Sequence, residues 1–216
     1  MTPASPRVAL LDYGSGNLRS VAKALERSRL RVAVVGDGAA LPGADAVVLP
    51  GVGAFADAMA SLRAKGLADA VRRWIDDGRP YVGLCLGLQV LFDESDEHGR
   101  TPGLGVLPGR IVRFPDADAA GRPLRVPHIG WNRVRFRGDH PVRRELPEED
   151  VFYFVHSYRA EPDDPACVAG TTDYGGPFAA AVARDNVFAV QFHPEKSQSS
   201  GRRLLDALAG WIASCV

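Results

Sequence analysis

The sequence predicts a single α/β domain: a mostly parallel or mixed central sheet, helices on both faces, and a β-rich middle segment. Three observations predict it. Short apolar runs alternate with helically spaced apolar residues through the first half, the pattern of strand–helix–strand units. Between Ile111 and Ala183 the runs become short and β-rich, separated by Gly, Pro and Asp clusters, as in an antiparallel or mixed sheet. The chain then returns to a buried strand and closes on an amphipathic helix. Its 216 residues suit one domain over 1–216, with a core that needs no disulfide or structural metal.

In order, Val8–Leu11 reads as a buried strand, and Leu18, Val21, Ala22 and Leu25 fall on one helix face. Val32–Val35 and Ala46–Leu49 are strands closed by Gly or Pro. Leu67, Val71, Trp74 and Ile75 mark a second helix, which Gly78 and Pro80 end before a strand at Tyr81–Leu84. That strand runs into a helical pattern through Phe92. Six β-rich runs follow: Ile111–Phe114, Leu124–Val126, Trp131–Phe136, Val151–His156, Cys167–Thr171 and Phe178–Ala183. Val187–Phe192 is the returning strand, and Leu204, Leu208, Trp211 and Ile212 form the stripe of the last helix.

Charge and cysteine content exclude several roles. The 26 basic and 26 acidic side chains cancel, which gives no electrostatic reason to expect nucleic acid or an anionic membrane as partner. No apolar run approaches the length of a membrane span, and the N-terminal MTPASPRVALLDYG is too short in its apolar part for a secretion signal. Three cysteines cannot all pair within one chain and match no zinc spacing, which points to a reducing, cytoplasmic setting. Of the 26 basic residues only three are Lys, so Lys196 attracts notice.

The most informative stretch is Tyr81–Phe92, YVGLCLGLQVLF. Gly83-Leu84-Cys85-Leu86-Gly87 has the Gly-x-nucleophile-x-Gly form of a strand-to-helix elbow. A nucleophile on such a turn has a strained backbone, and side chains two residues to either side would collide with it or with the neighbouring strand. The turn sets the thiol at a helix N-terminus, where the dipole and free N–H groups favour thiolate. The Leu86 N–H can then meet a developing oxyanion. Cys167, in a strand-like run, and Cys215, the penultimate residue, read as structural.

A thiol nucleophile needs a base. His98 and His140 sit in polar loops and read as solvated; His128 and His156 border β-rich runs. His193 ends a buried strand in VQFHPEKS, at the sheet edge where reactive groups of parallel sheets collect. Residues two apart in extended chain share a face, so Glu195 can hold the far nitrogen of the His193 ring. Pro50-Gly51-Val52-Gly53 follows another strand and precedes a helix-like Ala-rich stretch, and its glycines let a peptide N–H turn toward a substrate. Asp12–Asn17 is an incomplete phosphate loop, which weakens a nucleotide reading.

Together these strings resemble the class I (triad) glutamine amidotransferases through GLCLG and HPE. More narrowly they resemble the glutaminase subunits of imidazole glycerol phosphate synthase, through LLDYGSGNLRSV, LPGVGAFADAM, VGLCLGLQVLF, PHIGWN, FYFVHSY and AVQFHPEKSQSSG. Ser15, Leu88 and Ile129 stand where Met is expected in many relatives. The resemblance implies a flavodoxin-like core, no cofactor and no metal. Cys85 attacks the glutamine amide, His193 moves the proton, Glu195 orients it, and the Val52 and Leu86 N–H groups hold the oxyanion. It also implies glutamine-binding positions at Gly51, Gly53, Gln89, His156, Ser157 and Tyr158, with Gln89 one helical turn past Cys85. A (βα)8-barrel cyclase subunit is the implied partner in a heterodimer, meeting Trp131, Lys196 and Asn17. Ammonia would pass through a tunnel to it, giving imidazole glycerol phosphate and aminoimidazole carboxamide ribonucleotide in L-histidine biosynthesis. Alternatives are a glutaminase feeding pyridoxal phosphate, anthranilate or guanylate synthesis, a self-sufficient cysteine or γ-glutamyl hydrolase, and a non-catalytic binding module.

Overall fold

The computed structural model describes residues 5–41 and 43–216; the first four residues of the N-terminal string read above lie outside it. The first half alternates as expected: β1 (Arg7–Leu11), α1 (Leu18–Arg27), β2 (Arg31–Val35), β3 (Ala46–Leu49), α2 (Phe55–Ala64), α3 (Leu67–Asp76) and β4 (Tyr81–Leu84). A single helical turn, α4 (Leu86–Gln89), precedes β5 (Phe92–Ser95), β6 (Thr101–Pro102) and β7 (Leu107–Arg113). Then come β8 (His128–Phe136), the short α5 (Pro141–Arg144), β9 (Glu149–His156), β10 (Tyr158–Pro162), β11 (Val168–Asp173) and β12 (Pro177–Arg184). The chain closes with β13 (Val187–Val190) and α6 (Gln198–Ser214).

Among the described residues the strands form one mixed sheet, ordered β2-β1-β3-β4-β13-β12-β10-β7-β5-β6, with β11, β8 and β9 branching from β12. The first five strands of that order are parallel; β12 pairs antiparallel with β13, and β10 antiparallel with both β12 and β7. Both faces of β1, β3, β4 and β13 are buried, while the edge strand β2 is largely exposed, so successive residues of the inner strands feed opposite cores. Ala9, Leu11, Val47 and Leu49 pack with Phe55, Met59, Leu62, Val71 and Trp74 of α2 and α3. Val8, Leu10, Ala46 and Val48 pack with Val21 and Leu25 of α1 and Leu204, Leu208, Trp211 and Ile212 of α6. That two-sided burial is why these strands read as unbroken apolar runs.

Several expectations need correction. The helical pattern after Cys85 lasts one turn, and its last apolar residues, Leu91 and Phe92, are drawn into the core at the start of β5. Leu124–Val126 is not a strand; an isolated bridge joins Ala117 to Pro123 just before it, and the Leu124 N–H donates to the Asp116 carbonyl at 2.8 Å. The returning strand stops at Val190. His140 is half-buried rather than solvated: its ring packs against Phe188 and Trp211 with centroids 5.2 and 4.8 Å away, and burial lowers its pKa.

Candidate active site

Cys85 adopts φ 55° and ψ −105°, a left-side conformation that costs a side-chain-bearing residue about 1–3 kcal/mol. The ladder to β13 holds it there, Leu84 facing Val190 in register and the Cys85 N–H donating to the Val190 carbonyl at 2.8 Å. A Cβ on Gly83 would sit 2.4 Å from the Gly87 carbonyl oxygen and 2.9 Å from Ala189 Cβ; one on Gly87 would sit 1.9 Å from the Leu49 carbonyl oxygen of β3. Both glycines of the elbow are thus sterically required. Because α4 is one turn long, its dipole adds little to thiol activation. The local help comes from individual donors.

His193 follows β13 and is 4 % exposed. Its backbone is tied to β9: the His193 N–H donates to the Tyr153 carbonyl at 2.9 Å, and Ser197 Oγ donates to the His193 carbonyl at 2.6 Å while accepting from the Tyr153 N–H at 3.0 Å. The ring Nδ1 lies 2.8 Å from Glu195 Oε1. The pairing arises from a 3-10 turn over Pro194–Lys196 and not from the extended backbone the spacing suggested. His193 Nε2 and Glu195 Oε2 are buried with no hydrogen-bond partner. Burial works against a charged ring, yet the nearby Cys85 sulfur and the Glu195 carboxylate outweigh it and raise the His193 pKa to about 10. Cys85 thus stands beside the free Nε2 as a nucleophile beside its base, with no hydrogen bond closed between them.

The Gly51–Gly53 loop leaves β3 beside this pair. Gly53 has φ 101°, and a Cβ on Gly51 would lie 2.0 Å from the Tyr13 hydroxyl and 3.0 Å from Leu86 Cβ. Ser15 Oγ donates to the Val52 carbonyl at 2.6 Å. The Asp12–Asn17 string builds this loop support and a helix cap, Asn17 Oδ1 accepting from Ser20 N at 3.2 Å. Gly51, Asn17, His193, Glu195 and Lys196 line a narrow crevice behind the loop.

In front of the thiol opens a cavity of about 410 Å³, within the size range of small-molecule sites. Its wall brings together Val52, Gly53, Cys85, Leu86, Gln89, His156, Ser157, Tyr158 and Lys196, all singled out from sequence, and adds Glu97, Pro127 and Val155. Glu97 had no sequence signal. Its Oε2 accepts from the Phe55 N–H at 2.6 Å and so caps α2, whose N-cap Ala54 has no side chain able to do so. A cavity of similar size, about 420 Å³, is lined by Arg137, His140, Arg144, Cys167 and Arg184 among others; it shares no residue with the thiol site.

Gln89 differs from expectation. Its Nε2 donates to the Tyr158 carbonyl at 3.1 Å and to Gln191 Oε1 at 3.0 Å, so only Oε1 remains for a ligand. Gln191, fully buried, places Nε2 3.6 Å from Cys85 Sγ. Behind the cavity wall His156 Nδ1 lies 2.8 Å from the Tyr158 carbonyl, His156 Nε2 3.0 Å from His128 Nδ1, and His128 Nε2 3.2 Å from Asn132 Nδ2. Burial lowers the pKa of His128 to about 4 and of His156 to about 3, so both rings are neutral at neutral pH.

Trp131 lies outside the cavity, on an exposed face of β8 and β9. Ile129, Trp131 and Arg133 face Val155, Tyr153 and Val151 in register, and Ile129 and Trp131 are 58 % and 49 % exposed. Lys196 Nζ stands 5.9 Å over the Tyr153 ring, which joins this face to the His193 turn. Among the described residues no cluster of His, Cys, Asp and Glu is placed to hold a metal ion, and no helix is long and apolar enough to cross a membrane.

Fold and site define a class: an α/β protein that brings a thiol, an imidazole and a carboxylate together at the carboxyl edge of adjacent parallel strands. The glutamine amidotransferase class-I family model matches residues 9–207. The chain is 53 % identical over 209 residues to the imidazole glycerol phosphate synthase subunit HisH of Methylococcus capsulatus, covering 94 % of this chain and 96 % of that one. It is 49 % identical over 205 residues to the HisH subunit of Geobacillus thermodenitrificans, covering 95 % and 96 %. Among solved structures, PurLQS from Thermotoga maritima matches with TM-score 0.75 at 20 % identity, over 96 % of this chain and 99 % of that one, a likeness of fold. The chain belongs to the class-I glutamine amidotransferases and, within them, to the HisH subunits of imidazole glycerol phosphate synthase.

Proposed function

We infer that Cys85, His193 and Glu195 carry out the glutamine hydrolysis of a glutaminase subunit of imidazole glycerol phosphate synthase, in L-histidine biosynthesis. The observation that supports it best is the buried His193 ring, bound on one side by Glu195 at 2.8 Å and open at Nε2 beside the strained thiol. The Cys85 thiolate attacks the side-chain amide carbon of L-glutamine, and the carbonyl electrons move to oxygen. Among the described residues no backbone carbonyl accepts from the Leu86 N–H, which is free to meet that oxyanion; the Val52 N–H is its proposed companion. As the C–N bond breaks, His193 gives its proton to the departing nitrogen and ammonia leaves a γ-glutamyl thioester. His193 then takes a proton from water, hydroxide attacks the thioester, and glutamate and the thiolate are released. Gly51, Gly53, Gln89, His156, Ser157 and Tyr158 are the proposed glutamine-binding positions; Gln89 contributes its Oε1 and Gly51 shapes the loop from behind.

The partner proposed is a (βα)8-barrel cyclase subunit, joined in a heterodimer through the face of Trp131, Lys196 and Asn17. The exposed apolar Ile129 and Trp131 support docking there, since such patches mark interaction surfaces. The chain is a hydrolase in its own step; the lyase activity belongs to the assembled synthase. Glutamate release is to be measured with the chain alone and with the cyclase and its nucleotide ligand. Release should rise strongly in the complex, and full activity alone would refute the coupled reading. A Cys85→Ala chain should make imidazole product in the complex from ammonium salt but not from glutamine.

A further inference from the structure

We propose that Gln191 is a catalytic residue of this site: its side-chain amide donates to the Cys85 sulfur and holds it as thiolate, and a one-way hydrogen-bond relay prevents that amide from turning over. The proposal rests on Cys85 being the nucleophile and adds what keeps it charged.

The direction of every bond follows from two fixed ends. The Tyr158 carbonyl can only accept, so the Gln89 group 3.1 Å away must be its NH2. The same NH2 reaches Gln191 at 3.0 Å, which must therefore present its oxygen. Gln191 then has only its own NH2 to offer the sulfur at 3.6 Å. From the other side, the Asp173 carbonyl accepts from Asn132 Nδ2 at 2.9 Å, so Asn132 donates to His128 Nε2 at 3.2 Å. His128 in turn carries its proton on Nδ1 and donates to His156 Nε2 at 3.0 Å. His156 then donates from Nδ1 to the Tyr158 carbonyl at 2.8 Å. No member has a second arrangement that satisfies its neighbours. A thiol is a weak acceptor and a thiolate a much better one, so a donor locked toward sulfur favours the charged form. With α4 only one turn long, this donor supplies what a helix dipole would otherwise supply.

The test is the pH dependence of iodoacetamide alkylation, with the adduct on Cys85 quantified by peptide mass spectrometry. Gln191→Met keeps the volume and removes the donor; Gln191→Glu replaces the donor with acceptors. Each should raise the Cys85 midpoint by about one pH unit, a roughly ten-fold loss of rate below it. Gln89→Met leaves the donor but frees its orientation, and should give a smaller rise in the same direction. An unchanged midpoint in folded Gln191→Met would overturn the proposal. Should both Gln191 variants fail to melt cooperatively, the wild-type side-chain amide resonance of Gln191 decides. It should shift with the Cys85 titration, and indifference to it would equally overturn the proposal. Glutamate release by Cys85→Ser tests the nucleophile separately: activity that persisted there would refute the functional reading, while the alkylation series still judged Gln191.

Discussion

Replacing Gly87 by alanine sets two well-measured effects against each other. Helix propensity alone favours alanine by about 1 kcal/mol, and Gly87 lies inside α4. The added Cβ, however, would meet the Leu49 carbonyl oxygen at 1.9 Å and its carbon at 3.0 Å. Those are backbone atoms of a central strand, buried on both faces, and cannot swing aside as a side-chain tip would. Overpacking of this kind costs about 1–3 kcal/mol, occasionally more, and the contact is severe enough to take the upper figure. The net loss is about 2 kcal/mol, or about 4–8 °C in Tm for a chain of this length. Any relief must also push the elbow, so glutamate release should fall about a hundred-fold, the cost of a displacement near 1 Å. Gly210→Ala is the control. It lies in α6 with nothing within 4 Å of the new methyl, and should raise Tm slightly. Differential scanning calorimetry of both variants checks the reasoning. A Gly87→Ala chain melting at or above wild type would refute it.

The raised His193 pKa sets an alkaline limit. Its folded value of about 10 lies above the ordinary 6.5, so its stabilisation is complete below about pH 6.5 and is lost as pH climbs through 10. Tm should decline across that window, and His193→Asn should flatten the decline; an equally steep fall in the variant would exclude His193 as its source. Lys196→Arg exchanges a compact ammonium over Tyr153 for a planar fork. Glutamate release in the complex should persist while imidazole product per glutamine consumed falls, and an unchanged ratio would count against a coupling role.

The parallel core was legible because its inner strands are buried on both sides, and β3 and β4 begin and end where the apolar runs do. Cys85, His193 and Glu195 stood out because the strings around them are local, although the His193–Glu195 pairing comes from a 3-10 turn and not from the extended spacing that suggested it. Legibility failed where the deciding partner is distant in sequence. β10 reads Tyr-Arg-Ala-Glu-Pro, poor in strand formers, and exists because β7 and β12 pair with it on either side. The apolar residues after Gln89 imitate a continuing helix, but the core against β7 claims Phe92 for a strand. Gln191 looks like an incidental polar residue in an apolar run, since its partners Gln89 and Cys85 lie 102 and 106 residues away. His140, beside Asp139 and Pro141, gives no local hint of the aromatic pocket that covers it.

The register of Leu84 with Val190 has a topological consequence. Cys85 lies one residue and His193 three residues beyond the last paired rung of β4 and β13, so strand pairing fixes where both segments leave the sheet, whatever length of chain runs between them. The antiparallel part leaves that ladder at β4 and comes back to it at β13, as an excursion with both ends pinned. Insertions and deletions at its outer turns can change the cavity wall and the docking face while the reacting atoms stay put. The molecule separates an invariant chemistry from an adjustable reception, and selectivity can be rebuilt without rebuilding the reaction.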